Sequence, residues 1–264
     1  MKKPLISIIT VVKERAYIVE ECIKSILGQS FTNFEYLIKE GNSTDNTAQV
    51  ISKYKNQLTY FESSPDKGLY DAMNIATMHA HGDWVCYIQS DDQLFDAKVL
   101  EKVAPYLEKT TADVIYGAAL ITLDWGITRT INAKPISTVW NHQPYSHQAM
   151  FLRTTVAKKY PFNLTYRSAA DYDQIYKLYT LGYQFEAIPV MVARCLGGGL
   201  SDHKRIASLT EAGIIKRSYD QNRWHRFLHI LYATKSAINL KLIHLLPVPL
   251  IRKFFELRSK YIER

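Results

Sequence analysis

An α/β architecture, built on an open and mostly parallel sheet with helices on its faces, is what this sequence predicts. Three observations carry that expectation. Between residues 5 and 95, short β-branched runs alternate with segments whose apolar residues recur at helical spacing. Each β-rich run stops at a polar loop, "KERAY", "EGNSTDNT", "SPDKGLYDAMN" or "SDD", and sheets of this kind bind ligands where the carboxyl ends of strands meet helix starts. The 264 residues are 47% hydrophobic, enough to bury a sizeable core.

The elements follow in order. "LISIITVV", Leu5 to Val12, is the first strand, and Ile18, Cys22 and Ile26, with Val19 and Ile23, mark the apolar face of the helix after it. "FEYLIK", Phe34 to Lys39, reads as the second strand, and "STDNT" offers capping side chains to a helix running through Val50 and Ile51. "LTYFES" is a third strand, closed by the turn "SPDKG", where Pro65 and Gly68 punctuate. The helix "LYDAMNIATMHA" leads to "WVCYIQSDDQLF", Trp84 to Phe95, which is apolar through Ile88 and then turns acidic. Next come a helix over Asp96 to Lys109, the β-rich "ADVIYGAALITLDWGITRTINA" and an irregular "NHQPYSHQAM". A helix opening near "AADYDQIYKLYTLG", the strand "QFEAIPVMVARCL" and a glycine-rich "GGGLSDHKR" complete this part of the chain.

Composition excludes several classes. Cys22, Cys86 and Cys195 lack the paired spacing of zinc and redox motifs, which fits a reducing, cytosolic setting. The opening "MKKPLISIITVVKERAY" has no small-residue cleavage site and reads as a strand rather than a leader. No run of eighteen apolar residues predicts a spanning helix, and neither a P-loop nor a dinucleotide fingerprint occurs. The net charge of +8 is unevenly placed: residues 204–264 hold 13 Lys and Arg against 4 Asp and Glu, and residues 1–203 hold 20 against 21. The charge therefore divides the chain into a body over 1–203 and a basic amphipathic tail over 204–264. In that tail Trp224, Phe227, Leu228, Leu231 and Tyr232 recur at helical spacing among Arg223, Arg226 and His229, and Pro247 and Pro249 precede a second segment, Leu250 to Ile262. Its ordinary alternative is a pair of helices that pack on the domain, and its functional reading is contact with an anionic membrane face.

Asp91 and Asp92 pose the sharpest chemical question, because adjacent carboxylates at the end of a buried strand repel each other and are costly to desolvate. One reading is a solvated strand end in which Asp92 or Asp96 caps the next helix. The other is a site for Mg²⁺ or Mn²⁺ that leaves coordination positions open to phosphate oxygens.

The longer pattern resembles the inverting glycosyltransferases of family 2, which have the GT-A nucleotide-diphospho-sugar transferase fold, a Rossmann-like sheet. The resemblance is carried by "SIITVVKERAYIVEECIKSILGQSFTNFEYLIKEGNSTDNT", "DKGLYDAMNIATMHAHGDWVCYIQSDD", "HQAMFLR", "AADYD" and "GGGLS", in the family's order over about residues 4 to 203. It implies a catalytic domain over 1–203, with a nucleotide-sugar donor half at 1–95 and an acceptor half at 96–203, in which Thr10, Val12 and Glu14 frame the donor nucleotide and Glu40, where the family usually has aspartate, contacts the base. It assigns Asp66, Lys67, Asp71 and Asn74 to the donor segment, Asp71 and Asn74 sharing a helix face, although a helix-start carboxylate and a plain structural amide are their ordinary alternatives. Asp91 is implied to contact ribose or sugar and Asp92 to hold the metal, with His203 as a further ligand beside the reading of "GGGLSDHKR" as a flexible exit.

The same resemblance implies that Asp171 is the catalytic base, whose ordinary alternative, shared with Asp173, is a helix cap. It places His147 and Gln148 beside the acceptor. The activity implied is transfer of a sugar from a nucleoside-diphosphate donor, UDP favoured, to a lipid-linked saccharide, in surface-polysaccharide synthesis on the cytoplasmic face of the membrane, with Mn²⁺ or Mg²⁺ as cofactor and no nucleic acid as partner. Two other classes compete: a non-catalytic basic protein that binds nucleotide or membrane, and a nucleotidyltransferase.

Overall fold

Seven consecutive residues, Ile6–Val12, form strand β1, and all of them are buried, as expected of a parallel strand covered on both faces. The computed structural model describes residues 3–122, 128–197 and 205–243. β2 (Phe34–Glu40) and β4 (Trp84–Tyr87) flank β1 in parallel, and β3 (Tyr60–Ser63) lies parallel on the far side of β2. The full order is β3-β2-β1-β4-β8-β6-β9-β5, with β8 at Met150–Arg153, β6 at Val114–Thr122, β9 at Phe185–Leu196, β5 at Gln93–Leu94, and β7 (Thr128–Ile131) paired to β6. Register pairs Val12 with Glu40 and Ile9 with Tyr87. The loops after β1, β2 and β4 therefore open on one edge.

The two-residue period of the strands sends alternate side chains to opposite faces. Ile6, Ile8, Val12, Trp84 and Cys86 join one core beneath α1 (Val19–Leu27), α2 (Thr47–Ser52) and α4 (Val99–Lys109). Ile9, Val11, Val85 and Tyr87 join the other, with α3 (Leu69–Met78), α5 (Thr154–Lys159) and α6 (Ala170–Thr180).

The parallel character expected from the sequence holds from β3 through β4. Past β4 the sheet is mixed: β8 runs antiparallel to both β4 and β6, while β6 and β9 are parallel. Two elements inside and just after the stretch read as irregular, β8 and α5, are ordered. The β6–β9 pair shifts register on either side of Ala118. Gly117 sits at that irregularity, where an added Cβ would lie 2.3 Å from the Val190 carbonyl oxygen, so glycine is needed for the strands to approach. At the start of α3, Gly68 takes φ +121°, a backbone region closed to side-chain-bearing residues.

The basic tail begins with two helices, α7 (Arg205–Tyr219) and α8 (Arg223–Ile243). α7 packs on α6, burying Ile215 completely. Its Glu211 carboxylate accepts the backbone N–H groups of Arg167 at 3.0 Å and Ser168 at 2.9 Å, as well as the Ser168 hydroxyl. Tyr219 donates to Asp173 at 3.0 Å. At the root of α8, His225 pairs with Asp220 and stacks on Trp140 with ring centroids 3.8 Å apart. Further along, Trp224, Phe227, Ile230, Leu231 and Ile238 are exposed. Among the described residues no helix is long and apolar enough to cross a membrane. Pro247, Pro249 and the segment Leu250 to Ile262 lie outside the described residues.

Candidate active site

A cavity of about 640 Å³ opens along the carboxyl edge of the sheet, walled by the loop after β4, the 141–148 segment, the start of α6, the end of β9 and one face of α7. Its lining brings together five of the residues singled out in the sequence: Asp91, Asp92, His147, Gln148 and Asp171. They come from three segments far apart in the chain, so their convergence is a property of the fold.

Asp92 is 3% exposed and accepts a hydrogen bond from the Gln148 amide at 2.8 Å. Burial first, and the neighbouring Asp91 carboxylate second, push its carboxyl up to about 7, against smaller opposing contributions from Gln148, the Cys195 thiol and the Leu196 amide. Helix capping does not account for this residue: α4 begins after Lys98, and it is Asp96 that accepts the Lys98 backbone N–H. A buried carboxylate beside a half-buried one, both on the cavity wall, forms a donor set that a hard divalent cation fits, since such a cation takes one or two carboxylates and fills its other positions with water and phosphate oxygens. No cluster of three or more His, Cys, Asp or Glu of metal-binding geometry occurs among the described residues. His203 lies outside them.

Asp171 is not a cap either. The residue preceding α6 is Ala169, and Asp171 stands in the first turn with both oxygens engaged. Tyr70 from α3 donates to Oδ1 at 2.9 Å and Gln143 donates to Oδ2 at 3.1 Å. A carboxylate offers about four lone-pair sites, so each oxygen keeps capacity for a substrate hydroxyl. Nearby, His147 is buried and stacks on Tyr87 with centroids 5.2 Å apart. Burial holds its imidazole below the usual range despite the counteracting charge of Asp171, so the ring is neutral near pH 7. Its Nε2 and the Gln89 Oε1 are buried without hydrogen-bond partners, and both residues line the cavity. Orphaned polar atoms in such a place are satisfied when a polar ligand enters.

The remaining sequence-derived positions, Thr10, Val12, Glu14, Glu40, Asp66, Lys67, Asp71 and Asn74, do not line this cavity. They build the sheet edge beside it. Thr10 is fully buried, and its hydroxyl donates to the Ile88 carbonyl at 2.8 Å, tying β1 to the end of β4; Val12 is a core residue. Glu14, in a left-handed conformation at φ 53°, accepts the backbone N–H groups of Thr44 and Asp45. Glu40 is completely buried, and its two oxygens take the N–H groups of Asn42 and Ser43 and the hydroxyls of Ser43 and Ser63. With four donors on four lone-pair sites, Glu40 shapes the loop at 41–43 and has no acceptor capacity left for a nucleotide base. Asp66 and Asp71 accept the backbone N–H groups of Gly68 and Lys67, both at 2.8 Å. Asn74 uses both ends of its amide on the Phe162 backbone, at 2.9 Å each. It clamps α3 to the segment after α5.

Sequence reasoning missed Arg15, Gln89, Tyr70, Gln143 and Lys216, all of which line the cavity. The sequence likewise marks Lys39 only as a strand residue. It is a fully buried cation whose Nζ donates to the carbonyls of Glu40 and Ser64 and lies 4.0 Å from Asp66. A lysine at the end of the β-rich run "FEYLIK", directly after the apolar pair Leu37 and Ile38, is the signal available for it.

Comparison with known proteins bears on what this arrangement is. The family model described as glycosyl transferase family 2 matches residues 7–173. A PGL/p-HBAD biosynthesis glycosyltransferase of Mycobacterium bovis is 30% identical over 181 residues, covering 66% of this chain and 69% of the relative. Among solved structures, S. aureus TarS residues 1–349 in complex with UDP-GlcNAc aligns with a TM-score of 0.64 at 18% identity, over 84% of this chain and 69% of that one. The mannosyltransferase PcManGT of Pyrobaculum calidifontis, in complex with GDP-Man and Mn²⁺, aligns with a TM-score of 0.61 at 15% identity, over 99% of this chain and 81% of that one. At these identities the two structures speak to the fold, which is GT-A. The readings as a non-catalytic binding protein and as a nucleotidyltransferase give way, and the chain belongs to glycosyl transferase family 2.

Proposed function

We propose that this glycosyltransferase is inverting, draws its sugar from a UDP-linked donor, and extends a lipid-linked saccharide for a surface polysaccharide at the inner face of the cell membrane. The observation that carries the reading is the placement of Asp171 and of the Asp91–Asp92 pair on one cavity wall system. An acceptor hydroxyl beside Asp171 attacks the anomeric carbon while Asp171 takes its proton; the bond from that carbon to the diphosphate oxygen breaks, and the electron pair leaves with the nucleoside diphosphate. A single in-line displacement inverts the configuration and needs no second carboxylate as covalent nucleophile. Tyr70 and Gln143 aim the base, and the neutral His147, with Gln148 beside it, faces the acceptor. Asp92, with Asp91 beside it, would hold Mg²⁺ or Mn²⁺, which when bound supplies a Lewis acid to the diphosphate oxygens.

The donor chemistry is supported by the UDP-GlcNAc and GDP-Man complexes of the structural neighbours. The residues at 10–14, 40–43 and 66–74 form the neighbouring wall for the nucleotide, several of them by ordering backbone rather than by direct contact. The membrane location is supported by the exposed Trp224, Phe227, Ile230, Leu231 and Ile238 of α8, with Arg223 and Lys235 also exposed; such a helix lies along an anionic interface.

Calorimetric titration of UDP with and without Mn²⁺, repeated on Asp92→Ala, tests the reading. Metal-dependent binding that disappears in the variant supports it. Silence with UDP, GDP and other nucleotides under every condition refutes it.

A further inference from the structure

Three basic side chains from different elements meet on the wall of the cavity that α7 contributes. His142 and Lys216 line it directly, and the Lys134 ammonium reaches His142 Nε2 at 3.2 Å. Lys216 is 7% exposed and donates to the Asn141 carbonyl, so its charge is held at the wall rather than left in solvent. Both lysine charges reach His142, which is held below the usual imidazole range by burial first, then by Lys134 and Lys216. For Lys216, burial outweighs the attraction of Asp220 and brings the ammonium down to about 8. The imidazole between the two lysines is therefore held in its neutral form, and the Lys216 ammonium has little access to water. An anion arriving there accepts charge-assisted hydrogen bonds from the two ammonium groups.

The place of this cluster in the site limits what the anion belongs to. Lys216 is bonded at Asn141, and Gln143, two residues on, donates to the Asp171 carboxylate. His142, Lys216 and Asp171 all line the one cavity, so an acceptor bound in it can meet the cluster and the base together. Asp91 and Asp92, which serve the donor diphosphate in the proposed reaction, come from the separate loop after β4.

We infer that Lys134, His142 and Lys216 form a second anion site, which binds a phosphoryl group carried by the acceptor close to its attacking hydroxyl. This rests on Asp171 being the base. The acceptor is then a sugar bearing its own phosphate or diphosphate. A neutral oligosaccharide end has nothing to place there. A lipid-linked sugar phosphate and a free sugar phosphate share this chemistry.

The test uses the full chain saturated with UDP and Mn²⁺, so that the donor site is filled, and follows binding of inorganic pyrophosphate by calorimetry. Pyrophosphate binds, and roughly tenfold more weakly in Lys216→Met, as expected for loss of one charge-assisted bond. Lys134→Ala, at an exposed position, weakens it in the same direction while UDP affinity stays unchanged. A short-chain alkyl diphosphate and a free sugar 1-phosphate are then competed against pyrophosphate, and the tighter competitor identifies the source. The inference is overturned if pyrophosphate does not bind once UDP is in place, if both variants bind it as the parent does, or if neither competitor displaces it. Failure of UDP itself to bind refutes the donor assignment instead, and pyrophosphate binding to the unliganded protein still reads the cluster.

Discussion

Replacing Asp92 by asparagine tests the electrostatics of the site without reference to turnover. The folded-state carboxyl lies at about 7 against an ordinary value of 3.8. Between those values the folded protein keeps a proton that the unfolded chain has released, so stability falls as pH rises through this window. Below the lower value no penalty exists, and above about 7 it is fully present. Roughly three pH units at about 1.36 kcal/mol each set a ceiling of about 4 kcal/mol. Asparagine keeps the shape and cannot ionise, so Asp92→Asn should lack this slope. Urea denaturation of both proteins in a chelating buffer should show a difference of only about 1 kcal/mol near pH 4.5 and a variant more stable by a few kcal/mol at pH 8. Added Mn²⁺ at pH 8 should then stabilise the parent and leave the variant where it was. Parallel curves from pH 4.5 to 8 would refute the claim that burial and Asp91 together load Asp92.

Other expectations are more direct. Asp171→Asn should lower transfer by about 10²–10⁴ while UDP binds as before, measured by product formation and calorimetry on the same preparation; turnover at the parental rate sinks the assignment. Asn74→Ala removes two hydrogen bonds to the Phe162 backbone and should cost about 2 kcal/mol of stability, read by urea denaturation. Removing residues 223–264, which takes away the helix with the exposed Trp224, Phe227, Ile230, Leu231 and Ile238, should release the protein from anionic vesicles without weakening UDP binding, and undiminished co-sedimentation would refute the membrane role of the tail.

The alternation of strand and helix up to Asp92 was legible because each element carries its own periodic signal and its own stop. β8 was not, since Met150–Arg153 owes its strand character to being gripped between β4 and β6. The acidic pair and Asp171 could be found because each sits in a local pattern. Their surroundings could not: Tyr70 reaches Asp171 across 101 positions of sequence, and the loop held by Glu40 is set by hydroxyls and amides that no residue spacing announces. Glu40 also shows how a carboxylate singled out for a ligand can be consumed by its own loop once side-chain acceptors are counted.

Glu211 gives the molecule a practical boundary. The family match ends at residue 173, yet the carboxylate that fastens Arg167 and Ser168, three residues before the proposed base, belongs to α7. A fragment trimmed to the recognisable family segment would leave those amides, and Asp173, without their partners. Such a fragment can be expected to misreport the enzyme's acceptor behaviour even where it still takes up nucleotide. Homologues that differ beyond that segment are free to reshape the acceptor wall while leaving the donor machinery intact.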